Sequence, residues 1–139
     1  TGVEMSLTYK VNKHLSLVNN SAFNYSQIKE NSEVFKPILT PPIIINQEAV
    51  FNKNNFAISL SARYQYQSYI DFANSETVKS YVLLNSRVTY QYQKFQFSLF
   101  LNNITNAKYF NHGYVDFDGS KKYFVQAPTN FYSSIQYNF

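Results

Sequence analysis

The chain has 139 residues, no cysteine and a formal net charge of +4. This length holds one domain or part of one, and the missing cysteines exclude disulfides and thiolate metal sites. The lysines are scattered, which argues against the clustered basic face of a nucleic-acid-binding protein. Aromatic residues make up 19% of the chain, as 13 Tyr and 13 Phe, yet the mean hydropathy is −0.34. Strands of alternating apolar and polar residues produce that combination, whereas no run approaches the roughly 18 apolar residues of a membrane helix.

Alternation with a period of two predicts seven strands, over residues 2–11, 15–28, 43–51, 56–66, 81–92, 95–102 and 123–139. The third is the least regular, because the run Ile43-Ile44-Ile45 gives no phase. The last places an apolar or small side chain at every odd position except Thr129 and ends on Phe139. Such a strand is an aggregation hazard in a soluble protein, but it suits a barrel with one face toward lipid and the other toward a polar interior.

The connections between these strands alternate strictly between short (residues 12–14, 52–55 and 93–94) and long (residues 29–42, 67–80 and 103–122). In an up-and-down meander, this order collects all short turns at one end and all long loops at the other. Outer-membrane barrels show that asymmetry, whereas a soluble sandwich has no reason to sort its loops. We therefore predict an all-β fold, an antiparallel up-and-down transmembrane β-barrel.

The odd number of strands bears on how much of a barrel the chain forms. Bacterial single-chain barrels generally have an even number of strands. If the strand that ends at Phe139 descends toward the periplasm, the strand over residues 2–11 also descends, so the chain starts in mid-barrel. We expect residues 1–139 to be the C-terminal part of a larger barrel.

Three segments resemble TonB-dependent receptors. Residues 101–110 (LNNITNAKYF) resemble the "NLFDKKYF"-type segment that precedes the last outer loop of these receptors. Residues 126–131 (QAPTNF) are similar to their "APR-aromatic" entry into the final strand, and residues 133–139 to their closing strand. Thr129 departs from the pattern, since the family often has Arg there. The resemblance covers essentially the whole chain.

The resemblance implies a barrel of twenty-two strands filled by a plug domain, as in large outer-membrane transporters. This chain would supply the last seven strands, and the plug would lie outside the sequence given. The implied function is active uptake of a scarce ligand (siderophore, haem, cobalamin or glycan) through the outer membrane of a Gram-negative bacterium. The implied partners are outer-membrane lipid, the plug domain, the remaining barrel strands, TonB acting through the plug, and the barrel-assembly machinery. No cofactor and no nucleic acid are expected.

Three groups of residues are candidates for function. Alternation places Arg63 and Arg87 on the same face of two neighbouring predicted strands. We assign this face to the barrel interior, because a lone Arg on the lipid face would cost about 2–4 kcal/mol near the midplane. They either pair with acidic groups of the plug or are simply hydrated. In the family, outer loops form the ligand-binding mouth, so four residues of the predicted outer loops are candidate ligand contacts: Tyr69, Tyr109, His112 and Tyr114. The alternatives are packing within the loops for the tyrosines and plain solvation for His112. The end of the last strand resembles the signal that the assembly machinery captures by strand pairing: Phe131, Ile135, Tyr137 and Phe139.

Catalysis and metal binding find no support. His14 and His112 are placed at opposite ends of the predicted barrel, so they cannot form a shared metal or catalytic site. Residues 116–120 (DFDGS) look like half a calcium loop, but its twelfth position is Ala127 instead of a carboxylate. A turn at Asp118-Gly119 is the preferred interpretation. No nucleophile with a base, paired carboxylates or phosphate-binding glycine loop is present, so we expect no enzyme.

The sequence leaves two alternatives open. A small complete outer-membrane barrel with a structural or adhesive role would need an eighth strand within residues 103–122, where Gly113 and Asp118-Gly119 disfavour one. A soluble β-sandwich that binds carbohydrate through its aromatic residues is the other.

Overall fold

A computed structural model describes residues 1–139 as thirteen strands without a helix. In chain order the strands are β1 (Gly2–Lys10), β2 (Leu15–Asn24), β3 (Ile28–Glu30), β4 (Glu33–Phe35), β5 (Ile43–Lys53), β6 (Phe56–Gln65), β7 (Ser68–Tyr69), β8 (Thr77–Val78), β9 (Tyr81–Tyr92), β10 (Phe95–Asn102), β11 (Phe110–Val115), β12 (Lys121–Val125) and β13 (Asn130–Tyr137). None of the elements is a helix of the length and apolarity needed to cross a membrane.

Seven of the strands form one antiparallel sheet in the order β1-β2-β5-β6-β9-β10-β13. Each strand pairs with the next long strand along the chain, which is the predicted up-and-down meander. The other six strands form three isolated hairpins, β3-β4, β7-β8 and β11-β12, one within each long connection. The predicted all-β antiparallel fold is confirmed, and the long connections carry structure of their own.

The short turns are stabilised locally by asparagine and by left-handed backbone. At the β1-β2 turn, the side-chain oxygen of Asn12 accepts hydrogen bonds from the amides of His14 (2.8 Å) and Leu15 (3.0 Å). The other two turns each open on a residue with positive φ, Asn54 (54°) and Gln93 (51°). Asn tolerates that conformation better than most residues. All three turns lie at one end of the sheet, the short-turn end, and the long connections lie at the opposite, long-loop end.

The strand register separates apolar from polar side chains across the whole sheet. One row of paired positions crosses all seven strands on what we call the apolar face: Tyr9, Leu17, Ala49, Leu60, Ser86, Leu101 and Phe131. Leu60 is 51% exposed and Ile135 on the same face is 70% exposed, so nothing in the chain covers this face. A sandwich requires a second packed sheet, and no other sheet here has more than two strands. The sandwich alternative is therefore wrong.

A small polar cluster interrupts the apolar face. Asn19 donates a hydrogen bond to the side-chain oxygen of Gln47 (3.1 Å), and the Ser21 hydroxyl donates to that of Asn19 (2.8 Å). These groups satisfy one another across β2 and β5, which lowers the cost of placing them on an apolar surface.

The sheet is open, with β1 and β13 as its unpaired edges. Strands β11 and β12 pair with each other and add no eighth strand to the sheet. The eighth strand required by the small complete barrel is therefore not formed.

Two predicted strands differ from the structure by more than two residues at one end. The alternation over residues 123–139 belongs to two strands, because β12 ends at Val125 and β13 begins at Asn130. The four residues between them include Pro128, which has no amide hydrogen for a ladder. A gap of four preserves a period of two, so the pattern continues across the break. Likewise, β2 ends at Asn24 and Ile28 opens β3.

Candidate functional site at the long-loop end

The long connections pack against one another and form what we call the loop cap, residues 25–42, 66–80 and 103–129. The only two buried hydrophobic side chains in the chain lie here, Ile70 (3% exposed) and Val78 (2%). Ile70 directly follows β7, and Val78 is the last residue of β8. The hairpin β11-β12 packs against this hairpin. The small hydrophobic core of this chain is thus in its loops, because both faces of a single-layer sheet are open.

Two polar contacts join the hairpins of the second and third long connections. The Lys121 ammonium lies 2.8 Å from a carboxylate oxygen of Glu76, and the Tyr123 hydroxyl donates to the carbonyl of Thr77 at 3.4 Å. The hydrogen bond with Glu76 raises the pKa of Lys121. Within the hairpin β11-β12, Gly113 permits close approach of the two strands, since a Cβ there would lie 2.8 Å from the carbonyl oxygen of Lys122.

The first long connection is tied to the second by an asparagine. Asn74 accepts a hydrogen bond from the amide of Lys36 (2.6 Å) and donates to its carbonyl (3.0 Å). The amide of Leu39 also donates to the carbonyl of Tyr69 at 2.8 Å. All three long connections are therefore linked in one unit.

Asp71 fixes the turn between β7 and β8. Its carboxylate accepts hydrogen bonds from the Ser75 hydroxyl (2.8 Å), the Ser75 amide (3.2 Å) and the Glu76 amide (2.9 Å). Burial raises the pKa of Asp71, but these hydrogen bonds outweigh that effect and hold the pKa below its ordinary value.

Asn103 closes the last long connection. It is 3% exposed and has a positive φ of 48°. Its side-chain amide donates to the carbonyls of Ala107 (2.9 Å) and Ala127 (3.2 Å), and its side-chain oxygen accepts from the Ala107 amide (2.9 Å). The Thr129 hydroxyl donates to the Asn103 carbonyl at 2.7 Å. Thr129, at the position where TonB-dependent receptors often have Arg, therefore helps to hold the two ends of the last long connection together.

The turn over residues 116–120 closes the hairpin β11-β12. The Gly119 amide donates to the Asp116 carbonyl (2.9 Å), and Gly119 has a φ of 81°. The Asp118 carboxylate accepts from the Ser120 amide at 2.8 Å, and its hydrogen bonds with Ser120 lower the pKa of Asp118. The turn predicted at Asp118-Gly119 is confirmed. No group of three or more His, Asp or Glu side chains in residues 1–139 is arranged to hold a metal ion.

Among the cavities of the loop cap, two are lined by several tyrosines with lysine. The Tyr109 cavity, of about 240 Å³, is lined mainly by tyrosine and lysine, and its residues are Tyr81, Tyr109, Tyr123, Lys79 and Lys108 together with Thr77, Ser80 and Phe110. The Tyr69 cavity, of about 290 Å³, has a similar set: Tyr25, Tyr66, Tyr69 and Lys36, among amides, hydroxyls and prolines. Aromatic walls with a few polar groups are typical of ligand-binding cavities.

Tyr109 and Tyr81 form neighbouring parts of the cavity wall, and their ring centroids lie 4.7 Å apart. Burial and the neighbouring Tyr81 raise the pKa of Tyr109, and the opposing effect of Arg63 is smaller. The phenol is therefore neutral at ordinary pH and can donate a hydrogen bond. The hydroxyls of Tyr81 and Tyr123 already donate to Gln65 (3.0 Å) and Thr77 (3.4 Å), whereas that of Tyr109 has no partner within the chain.

Arg63 connects this cavity to the polar face of the sheet. Its guanidinium donates to the side-chain oxygens of Asn46 (3.0 Å) and Gln65 (3.2 Å), and the Gln65 oxygen also accepts from Tyr81. Arg87 also lies on the polar face, paired in register with Ser59, but it is exposed and bonds to no side chain. Neither arginine meets a carboxylate, since the one ion pair in residues 1–139 joins Lys121 and Glu76.

The four candidate loop contacts lie in three different places. Tyr69 and Tyr109 belong to separate cavities. His112 stacks on Phe124 on the hairpin β11-β12, with ring centroids 4.9 Å apart, and Tyr114 is exposed close to the same ring. The structure therefore does not bring all four together, and it adds the lysines and tyrosines of the two cavities, which sequence patterns gave no reason to group.

The residues of the last strand are exposed. Phe131, Ile135 and Tyr137 lie on the apolar face of β13, and Phe139 follows the strand as a fully exposed residue. The ring of Phe139 meets that of Tyr137 at 5.1 Å. At the opposite, short-turn end, a ring nitrogen of His14 lies 2.9 Å from the Asn52 carbonyl, so His14 and His112 are far apart in the fold.

No protein-family model matches the chain, and no curated protein matches it in sequence. Solved structures do match it in fold. The ferric yersiniabactin uptake receptor FyuA from Yersinia pestis has a TM-score of 0.79 at 18% identity, over 96% of this chain and 22% of that one. The siderophore receptor PiuA from Acinetobacter baumannii has a TM-score of 0.71 at 15% identity, over 96% and 20%.

The ferric preacinetobactin receptor BauA, also from Acinetobacter baumannii, has a TM-score of 0.70 at 17% identity, over 99% of this chain and 22% of that one. The chain thus spans about a fifth of the length of these receptors and has the fold of a part of them. The resemblance to TonB-dependent receptors is confirmed at the level of fold. The number of strands in a complete barrel stays a prediction.

Proposed function

We propose that residues 1–139 are the C-terminal part of the barrel of a TonB-dependent outer-membrane receptor that takes up a scarce ligand. The main support for this proposal is the seven-stranded antiparallel meander. It has an uncovered apolar face, three short turns at one end and the loop cap at the other. Its fold similarity to receptor structures extends over 96% of the chain. A single-layer sheet of this kind is stable where lipid covers its apolar face.

In this proposal each surface of the sheet has a partner. Lipid covers the apolar face, and the free edges of β1 and β13 pair with the remaining strands of a twenty-two-stranded barrel. The plug domain lies against the polar face, where Arg63 and Arg87 have no acidic partner within the chain and would pair with plug carboxylates. TonB acts through the plug, and the barrel-assembly machinery captures β13 through Phe131, Ile135, Tyr137 and Phe139.

Among the ligands considered, an iron chelate is best supported. The three receptors described above are named for siderophores or their ferric complexes. The loop cap offers cavities whose tyrosines and lysines suit recognition of a polar ligand, with Tyr69, Tyr109, His112 and Tyr114 as its contacts in this proposal.

The proposal is tested with the complete protein in the bacterium that encodes it. Under iron limitation, deletion of the gene abolishes cellular uptake of at least one radiolabelled ferric chelate, and deletion of the gene for TonB has the same effect. The protein is found in the outer-membrane fraction. Unchanged uptake of every ferric chelate tried, or recovery of the protein in a soluble fraction, contradicts the proposal.

A further inference from the structure

The apolar face of the sheet carries two carboxamide side chains among its aliphatic and aromatic ones. Asn19 in β2 and Gln47 in β5 are paired in register, and they are the only asparagine and glutamine on this face of the seven-stranded sheet. Aromatic side chains lie on the same face toward both ends of the strands, Phe23 and Tyr64 at the long-loop end and Phe51 at the short-turn end. Since aromatic rows mark the two interfaces of a membrane barrel, the carboxamides between them would lie in the hydrocarbon.

The hydrogen bonds within this cluster leave donors over. Asn19 donates one N–H to the side-chain oxygen of Gln47 at 3.1 Å, and Gln47 donates one to the Glu48 carbonyl at 3.4 Å. A carboxamide has two N–H donors, so each of the two groups keeps one N–H without a partner in the chain. The Gln47 oxygen accepts only from Asn19 and keeps a free lone pair. Hydrocarbon offers neither donor nor acceptor, so a partner that supplies both is favoured over lipid.

Small side chains surround the half-exposed Gln47. Ala62 on β6 is paired with Gln47 in register, and Ala49 follows it on the same face of β5. Across β2, Ser21 is only 6% exposed, and its hydroxyl donates to Asn19 at 2.8 Å. Small residues let two membrane-embedded surfaces approach closely, and polar side chains then bond across the contact. Both features occur together in what we call the carboxamide patch: Asn19, Ser21, Gln47, Ala49 and Ala62.

We infer that the carboxamide patch binds a second copy of the same receptor within the membrane. This pairing rests on the proposed membrane-spanning barrel. A two-fold axis along the membrane normal, beside Gln47, brings Gln47 of one copy against the same residue of the other. Each carboxamide then donates its free N–H to the oxygen of the other, because it carries donor and acceptor on one group. The patch has no charged side chain, so two copies meet without repulsion, and such a self-complementary contact closes as a dimer.

The first test measures pairing of the complete receptor in lipid vesicles. One portion of receptor carries a donor fluorophore and another an acceptor, and energy transfer rises to saturation as the ratio of receptor to lipid increases. Asn19→Leu/Gln47→Leu removes the polar groups and keeps the face apolar. It raises the half-saturating ratio about tenfold, in line with the strength of side-chain hydrogen bonds within membranes. Ser86→Leu/Ser133→Leu makes a matched polar-to-apolar change on the same face and leaves the ratio unchanged.

The second test locates the contact by cross-linking in outer membranes. A photoreactive benzophenone amino acid replaces Leu60, which is exposed beside the carboxamide patch, and irradiation yields a product of twice the mass of the receptor. The same replacement at Leu99, exposed on the same face of β10, is the control and yields no such product. Each variant is first checked for folding by its heat-modifiable mobility on gels.

The outcomes separate the dimer from the proposed function. Energy transfer no higher than random encounters produce, or an equal shift in the two double variants, overturns the dimer. A cross-link from position 60 to a protein of another mass, or to lipid alone, overturns it as well. In each of these cases continued uptake of a ferric chelate by cells leaves the proposed function standing. Recovery of the receptor in a soluble fraction overturns both.

Discussion

At the scale of single residues, Asn103 has the largest structural role in the last long connection. Replacing it with alanine removes three side-chain hydrogen bonds and leaves a residue without a polar side chain in left-handed backbone. At about 0.5–1.5 kcal/mol for each hydrogen bond, we expect Asn103→Ala to destabilise the loop locally by about 2–4 kcal/mol. Faster amide hydrogen exchange in residues 104–108 of the complete receptor measures the effect. Asn111→Ala, at an exposed position with no side-chain hydrogen bond, serves as control, and equal exchange in both variants contradicts the role.

Asp71 gives the loop cap a dependence on pH. The pKa of Asp71 is lowered in the fold, so the ionised carboxylate stabilises its turn above the ordinary carboxyl pKa of about 3.9. That stabilisation is lost as the pH falls through the lowered pKa. We expect protease cleavage between β7 and β8 to accelerate in that acidic range, measured with an acid-active protease. Asp71→Asn removes the pH dependence, and a variant that keeps it contradicts the assignment.

Residue-scale function was only partly visible in the sequence. The parity of Arg63 and Arg87 follows from strand alternation, and both lie on the polar face. Asn103 was missed as a key residue because its partners are twenty-four residues away at Ala127 as well as nearby at Ala107. The asparagine-rich run LNNITNAKYF was its one local signal, since Asn favours left-handed backbone.

At the scale of elements, the docking of the hairpin β11-β12 depends on Gly113. A valine there places its Cβ 2.8 Å from the carbonyl oxygen of Lys122, within the same hairpin, and 3.5 Å from Ile70, so we expect Gly113→Val to distort β11-β12 and weaken its packing on β7-β8. Limited proteolysis of the intact receptor checks this as faster cleavage within residues 103–129. Asn111→Val adds the same side chain at an exposed position of β11, and equal cleavage of both variants would exclude the packing role.

The last strand allows a separate test of assembly. Phe139 is fully exposed and touches only the Tyr137 ring among aromatic neighbours, so its removal costs little packing within the chain. We expect deletion of Phe139 to reduce the amount of receptor in the outer membrane while the affinity of the assembled receptor for ligand stays unchanged. Quantitative immunoblotting of outer membranes and binding per folded receptor measure the two effects. Normal surface levels would refute a role in assembly.

Element boundaries show where a period of two stops being informative. The seven long strands follow from alternation, but β12 and β13 keep the same phase across a gap of four residues, so alternation alone predicts a single strand there. The hairpins in the long connections have strands of only 2 to 6 residues, too short for a period to be recognised. Their positions depend on contacts between loops, such as that of Glu76 with Lys121, which no local pattern contains.

In the whole molecule, a transmembrane barrel wall requires the apolar face of the sheet to meet lipid and the polar face to meet the interior. An arginine on the apolar face near mid-height should cost about 2–4 kcal/mol in a bilayer, whereas one on the polar face is hydrated. We expect Leu60→Arg to lower the free energy of unfolding of the complete receptor in lipid by that amount and Ser61→Arg to have a smaller effect. Equal losses in denaturant titrations contradict the assignment of the faces.

Because this chain contains no cysteine, single cysteines can report directly which side chains of β6 meet lipid. Any other cysteines of the complete receptor are replaced, single cysteines are introduced at Ala57, Ile58, Ser59, Leu60 and Ser61, and each is labelled with a polarity-sensitive fluorophore after reconstitution into vesicles with brominated lipids. If the apolar face of β6 meets lipid, fluorescence is quenched at positions 58 and 60 and not at positions 57, 59 and 61. Quenching that does not alternate along β6, or that falls on the polar face, would contradict a transmembrane barrel wall.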